Sequence, residues 1–115
     1  MKRSFLIISF LFLVSCTNDS ESDLLDNNTL EKVTYQQVKP IMDTHCVSCH
    51  GNVSPNAGLP LTNFTQVRNA VMNRGVIDRI SRNNGDPLLM PQTGRLNQNL
   101  INIVNQWKND GYLEE

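Results

Sequence analysis

Within 115 residues, the run Cys46-Val47-Ser48-Cys49-His50 places two thiols and an imidazole side by side, and no other stretch restricts the fold as strongly. Two thiols three positions apart face the same side of a helical turn, and the imidazole of the next residue extends the group. A zinc site draws its four ligands from two knuckles separated by a dozen or more residues, whereas His45, Cys46, Cys49 and His50 crowd into one turn. A thioredoxin-like dithiol needs a βαβ setting, which this chain's pattern does not offer.

The compartment follows from the N-terminus. Met1-Lys2-Arg3 precedes an apolar run from Phe5 to Val14 and then Ser15-Cys16, the charged, apolar, small-residue order of a secretory signal. A permanent transmembrane helix needs ~20 apolar residues, about twice what this run supplies. Leu13-Val14-Ser15-Cys16 resembles the bacterial lipobox, which implies a signal peptide over 1–15 and acylation of Cys16 as the first mature residue. One acyl chain anchors only marginally, but the several chains of a lipoprotein hold firmly.

With Cys16 acylated, Cys46 and Cys49 are the only thiols left of the chain's three, in a compartment that oxidises exposed pairs. They stand too close in sequence to read as a structural disulfide. Cys-x-x-Cys-His is the attachment signature of haem c: both thiols add to vinyl groups of one porphyrin, and the imidazole reaches the iron. Cys46 and Cys49 are therefore the expected attachment residues, His50 the expected proximal ligand, and one covalently bound haem c the expected cofactor. His45 cannot reach the other haem face from the same turn and is read as a surface or propionate-side residue.

From Thr17 to Glu31 the chain carries Asp19, Glu21, Asp23, Asp26 and Glu31 and no basic residue, so 16–32 reads as a lipidated Cys with a solvated, acidic tether. Such a segment has an r.m.s. span on the order of 20 Å.

The folded domain, 33–115, opens with a capping box at Thr34 and Gln37, followed by the apolar stripe Tyr35, Val38, Ile41 and Met42. Pro40 is expected to kink this helix or to start a new one. Asn, Pro and Gly break the chain from Gly51 to Pro60. A helix fits Asn63 to Asn73 with Phe64, Val67, Ala70 and Val71 inward, a shorter one fits Val76 to Ser81, and Asp86 to Gly94 reads as a loop. The last helix is capped by Asn97, carries Leu100, Ile101, Val104 and Trp107 on one face, and ends at Gly111. No alternating β-pattern and no internal repeat occur. The reading is all-α, three to four short helices with long loops, and such a chain buries little apolar surface unless something fills its centre.

A second axial ligand has to come from far along the chain, and the domain's methionines are Met42, Met72 and Met90. Met42 lies on the motif's own helix and Met72 ends a helical stripe, both positions where a methionine packs as gap filler. Met90 stands in Asp86-Pro87-Leu88-Leu89-Met90-Pro91, on irregular backbone that can aim a thioether.

Val38-Lys39-Pro40-Ile41, Cys46 to Gly51, Gly58-Leu59-Pro60-Leu61, Ile77-Asp78-Arg79-Ile80, Gly85 to Pro91 and Ile103 to Gly111 together resemble small bacterial class I cytochromes c, above all the single-haem domains of envelope lipoproteins. The resemblance implies a cytochrome c-like fold around one haem, His50 and Met90 as axial ligands, and Trp107 as core in a final helix that crosses the first. Gln92 departs from it, since such relatives often carry a second Pro there.

Two strong-field axial ligands leave no open position for catalysis, so the expectation is electron transfer and no enzymatic activity, with the positive midpoint potential of His/Met ligation. The expected partners are redox proteins of the cell envelope and, through the lipid anchor, a bacterial membrane facing the periplasm. No nucleic acid and no small-molecule substrate are expected. Arg68, Arg74, Arg79, Arg82 and Arg95 against only Asp78 and Asp86 give this stretch a local positive field; most of these arginines are read as pairing with haem propionates and nearby acids or as a solvated face, and one or two as steering an acidic redox partner. Two other readings stand beside the carrier: a haem-based sensor or ligand-binding module, and the electron-entry subunit of a larger envelope oxidoreductase.

Overall fold

Thr34 opens the first described helix by accepting the Gln36 N–H on its hydroxyl at 3.3 Å, while the Gln37 side chain accepts the Thr34 N–H at 2.7 Å. This reciprocal box satisfies N–H groups that have no partner inside a helix. The structure, a computed structural model, describes residues 31–115. The expected signal, Cys16 and nearly all of the tether lie outside them. The described helices are α1 (Tyr35–His45), α2 (Phe64–Asn73), α3 (Val76–Ser81) and α4 (Gln98–Asn109), with a single 3-10 turn at Asn56–Gly58. Among the described residues there is no strand, only an isolated parallel bridge between Thr34 and Leu113, and no helix is long and apolar enough to cross a membrane.

Pro40 does not start a new helix: α1 runs on as one helix from Tyr35 to His45. The proline deprives the Gln36 carbonyl of its N–H partner, but Gln36 and Pro40 are both exposed, so water can solvate that carbonyl. The opposite face, Tyr35, Val38, Ile41 and Met42, is buried.

That face packs against α4, α4 against α3, and α3 against α2. Val38 and Met42 of α1, Val67 and Ala70 of α2, and Ile101 and Val104 of α4 join one apolar cluster, closed from the loops by Leu61 and Leu96. Trp107 is its largest fully buried side chain. Its ring lies 5.9 Å from Tyr35, 6.2 Å from Phe64 and 5.2 Å from Tyr112, centroid to centroid, within the spacing at which aromatic pairs gain energy beyond their burial.

The C-terminus of α4 is closed by a Schellman motif: Tyr112 N–H donates to the Trp107 carbonyl at 2.9 Å and Gly111 N–H to the Lys108 carbonyl at 3.2 Å. The motif requires a left-handed residue, and Gly111 has φ +91°. The chain then turns back so that the Leu113 carbonyl accepts the Tyr35 N–H at 2.8 Å and the Trp107 indole N–H at 2.7 Å. Asp110 adds an acceptor for the Val33 N–H at 2.7 Å. The start of α1 is thereby tied to the end of α4.

Trp107→Ala should cost about 3–5 kcal/mol of unfolding free energy, read by urea denaturation. Lys108→Ala, one residue on and exposed, should stay within about 0.5 kcal/mol of wild type.

Candidate functional site

The motif follows the end of α1 at His45 directly, with Cys46 as its C-cap. Cys46 and Val47 both donate their N–H to the buried Met42's carbonyl, at 2.9 and 3.0 Å, and Cys49 and His50 donate theirs to the Cys46 carbonyl at 3.1 and 2.8 Å. These bonds fold the five residues into one tight turn. The following loop is laced back onto it, Asn56 N–H to the Cys49 carbonyl at 2.9 Å and Leu61 N–H to the His50 carbonyl at 2.8 Å. A Cβ at Gly51 would stand 3.2 Å from the Val47 carbonyl oxygen, so the close approach of loop to turn favours glycine there.

Cys46, Cys49 and His50 line one cavity of about 490 Å³, whose walls include Leu59, Leu61, Val76 and Ile80. A cavity of that size and apolar character is large enough for a sizeable organic group. Met90 of the 86–94 loop lines it too. Of the other two methionines in the domain, Met42 is buried in the helical core and Met72 is half exposed to solvent. His45 lies on the cavity wall beside the motif, and Gln92 lines it from the Met90 loop.

The His50 Nδ1 lies 2.8 Å from the Leu59 carbonyl oxygen. A carbonyl can only accept, so Nδ1 carries the proton in this bond, and in the neutral ring it is Nε2 that has the lone pair. A backbone carbonyl holding one ring nitrogen while the other is left basic is the usual outer support of a metal-binding imidazole.

Cys46 and Cys49 are free thiols, the first half-buried and the second exposed. Burial, and then the neighbouring Cys49, pushes the Cys46 thiol up to about 11. A dithiol used for exchange has an attacking sulfur shifted the other way, toward thiolate. Zinc is no better served, since among the described residues no group of three or more His, Cys, Asp or Glu side chains is arranged to hold a metal ion.

The arginines divide. Arg82 pairs with Asp78 at 2.9 Å and with Asp86 at 3.0 Å, so part of the local positive field read from the sequence is neutralised. Arg74 and Arg79 line the cavity and bond to carbonyls rather than carboxylates, Arg74 to Ala57 at 3.4 Å and Arg79 to Leu88 at 3.3 Å. Arg68 is exposed, and Arg95 donates to the Gln98 side chain at 2.6 Å.

Two contributors have no mark in the sequence: the Leu59 carbonyl behind His50, and the Arg79 carbonyl, which accepts the Met90 N–H at 3.1 Å. Both are main-chain acceptors, and main-chain oxygens look alike at every position. No family model, no curated protein and no solved structure matches the chain.

In the chain carrying nothing in this cavity, Cys49 should be alkylated by iodoacetamide well before Cys46 at pH 8. Peptide mass spectrometry over a time course reads the order, and equal rates would contradict the burial and raised pKa of Cys46.

Proposed function

We propose that this protein is a monohaem c-type cytochrome, a lipoprotein that carries electrons in the cell envelope. The observation that supports this best is that one apolar cavity is lined by both thiols and the imidazole of the Cys-x-x-Cys-His motif and also by Met90 from a distant loop.

On this reading Cys46 and Cys49 would hold the porphyrin through two thioether bonds, each thiol giving its sulfur to one vinyl carbon and its proton to the other, with no oxidant consumed. His50 would hold the iron through Nε2 while the Leu59 carbonyl holds its Nδ1–H, and Met90 would hold it through its thioether. The haem supplies the one-electron couple of its iron. Leu59, Leu61, Val76 and Ile80 keep water from the ring, and Arg74 and Arg79 are the cavity cations available to its carboxylates.

With His50 and Met90 both on the iron, oxygen and peroxide would find no site there, so the protein is read as a carrier and not an enzyme. The thioether favours ferrous iron and raises the potential relative to bis-His ligation. The signal over 1–15, the acylated Cys16 and the acidic tether over 16–32 would hold the domain beside a bacterial membrane on the periplasmic side, within reach of redox proteins of the envelope.

Visible and near-infrared spectra of the protein made with a haem c assembly system test this reading. A reduced α-band, a weak near-infrared band of methionine on ferric iron that is lost in Met90→Ala, and a positive midpoint potential are expected. A strongly negative midpoint would remove Met90 from the iron. Ready carbon monoxide binding by the reduced protein would replace the carrier with a sensor.

A further inference from the structure

The loop that delivers Met90 is short, and its backbone donors can be traced one by one. Pro87 has no N–H. Leu88 donates to the Asp86 carboxylate (Oδ1) at 2.8 Å, Leu89 to the Asp86 carbonyl at 3.0 Å, and Met90 to the Arg79 carbonyl at 3.1 Å. Two of the three donors between Asp86 and Met90 therefore end on Asp86, and the third ends on α3. The Arg79 guanidinium adds a bond from α3 to the Leu88 carbonyl at 3.3 Å.

Asp86 is in turn held by Arg82, whose Nη1 donates to Oδ2 at 3.0 Å. The same guanidinium grips Asp78 one turn earlier through Nε at 3.1 Å and Nη2 at 2.9 Å, so it is fixed on α3 before it reaches the loop. The Leu88 amide first, and Arg82 after it, keep the Asp86 carboxyl below the usual carboxylate range. An isolated, fully exposed ion pair contributes little. Here both side chains are about two-thirds covered, at 29% and 32% exposure, and each carboxylate oxygen has its own donor.

We propose that Asp86, oriented by Arg82, is the positioning residue for Met90: it sets how firmly the thioether competes for the position it occupies in the cavity. The inference rests on the reading of Met90 as an axial ligand. Neither residue touches that position; they act through the course of the 86–90 backbone.

Imidazole titration of the ferric holoprotein, followed by the Soret shift and by loss of the methionine near-infrared band, measures that competition directly. Asp86→Ala should bind imidazole about fivefold more tightly than wild type, the size expected for losing a partly covered carboxylate held by two donors, the Leu88 amide and one Arg82 N–H. Arg82→Gln keeps the Leu88 bond and should shift affinity in the same direction by less; it decides the matter if Asp86→Ala does not fold. Asp78→Asn, which loses a partner of Arg82 inside α3 only, should stay within about twofold of wild type. In a Met90→Ala background, Asp86→Ala should change nothing, because the competitor it positions is gone.

If Met90→Ala binds imidazole more tightly than wild type but Asp86→Ala and Arg82→Gln do not, the positioning role is overturned and the ligand assignment stands. If Asp86→Ala acts equally with and without Met90, its effect does not pass through Met90 and the proposal fails. If wild type and Met90→Ala bind alike, Met90 is not the ligand, and both readings fall together.

Discussion

The carbonyl oxygen of Leu113 accepts two hydrogen bonds, from the first amide of α1 and from the indole of Trp107, and this shared acceptor fixes the frame on which the site is built. It requires the Schellman turn at Gly111 to bring the chain back, and it requires Trp107 to be buried with its N–H aimed outward from the cluster. Both are met, and the aromatic rings of Tyr35, Phe64 and Tyr112 close around the tryptophan. A helix tied at its N-terminus and packed along its length has a defined C-terminus. The motif at residues 46–50 is the direct continuation of that end, through the carbonyl of buried Met42.

The domain's other half is organised differently. It holds α2 and α3, which contribute Val67, Ala70, Val76 and Ile80 to the core, and two loops hydrogen-bonded to the motif and to α3 that frame the cavity beside it. A chain of this size has little apolar surface to bury by itself, and the apolar side chains that line the cavity include Leu59, Leu61, Val76 and Ile80. On the proposed reading a covalent ring completes the hydrophobic core and is also the working part, so attachment through Cys46 and Cys49 serves stability and function together.

Three of the four described helices were legible in the sequence from both an apolar period and a side-chain cap, whereas α3, six residues long, has no side-chain cap and was marked by its apolar positions alone. Thr34 with Gln37, Asn63 and Asn97 mark the starts, and stripes such as Val67, Ala70 and Val71 mark the buried faces. Pro40 misleads locally because its cost depends on whether the orphaned carbonyl faces water, which is a property of the packed helix. At the site, residue types and spacing marked Cys46, Cys49 and His50, and the Pro-containing loop pointed to Met90. The supports were not legible: the Leu59 carbonyl, the Arg79 carbonyl and the double grip of Arg82 on Asp78 and Asp86 depend on the path of loops whose composition permits many paths.

The central claim is that the two motif thiols hold one haem covalently, and the most direct test is the intact mass and haem stain of the full chain, made with a haem c assembly system and denatured before analysis. One haem should remain with the polypeptide and should be lost when Cys46 and Cys49 are both replaced by Ala. A wild-type chain that emerges from denaturation without haem, while a known c-type cytochrome made in the same cells keeps its own, would contradict it.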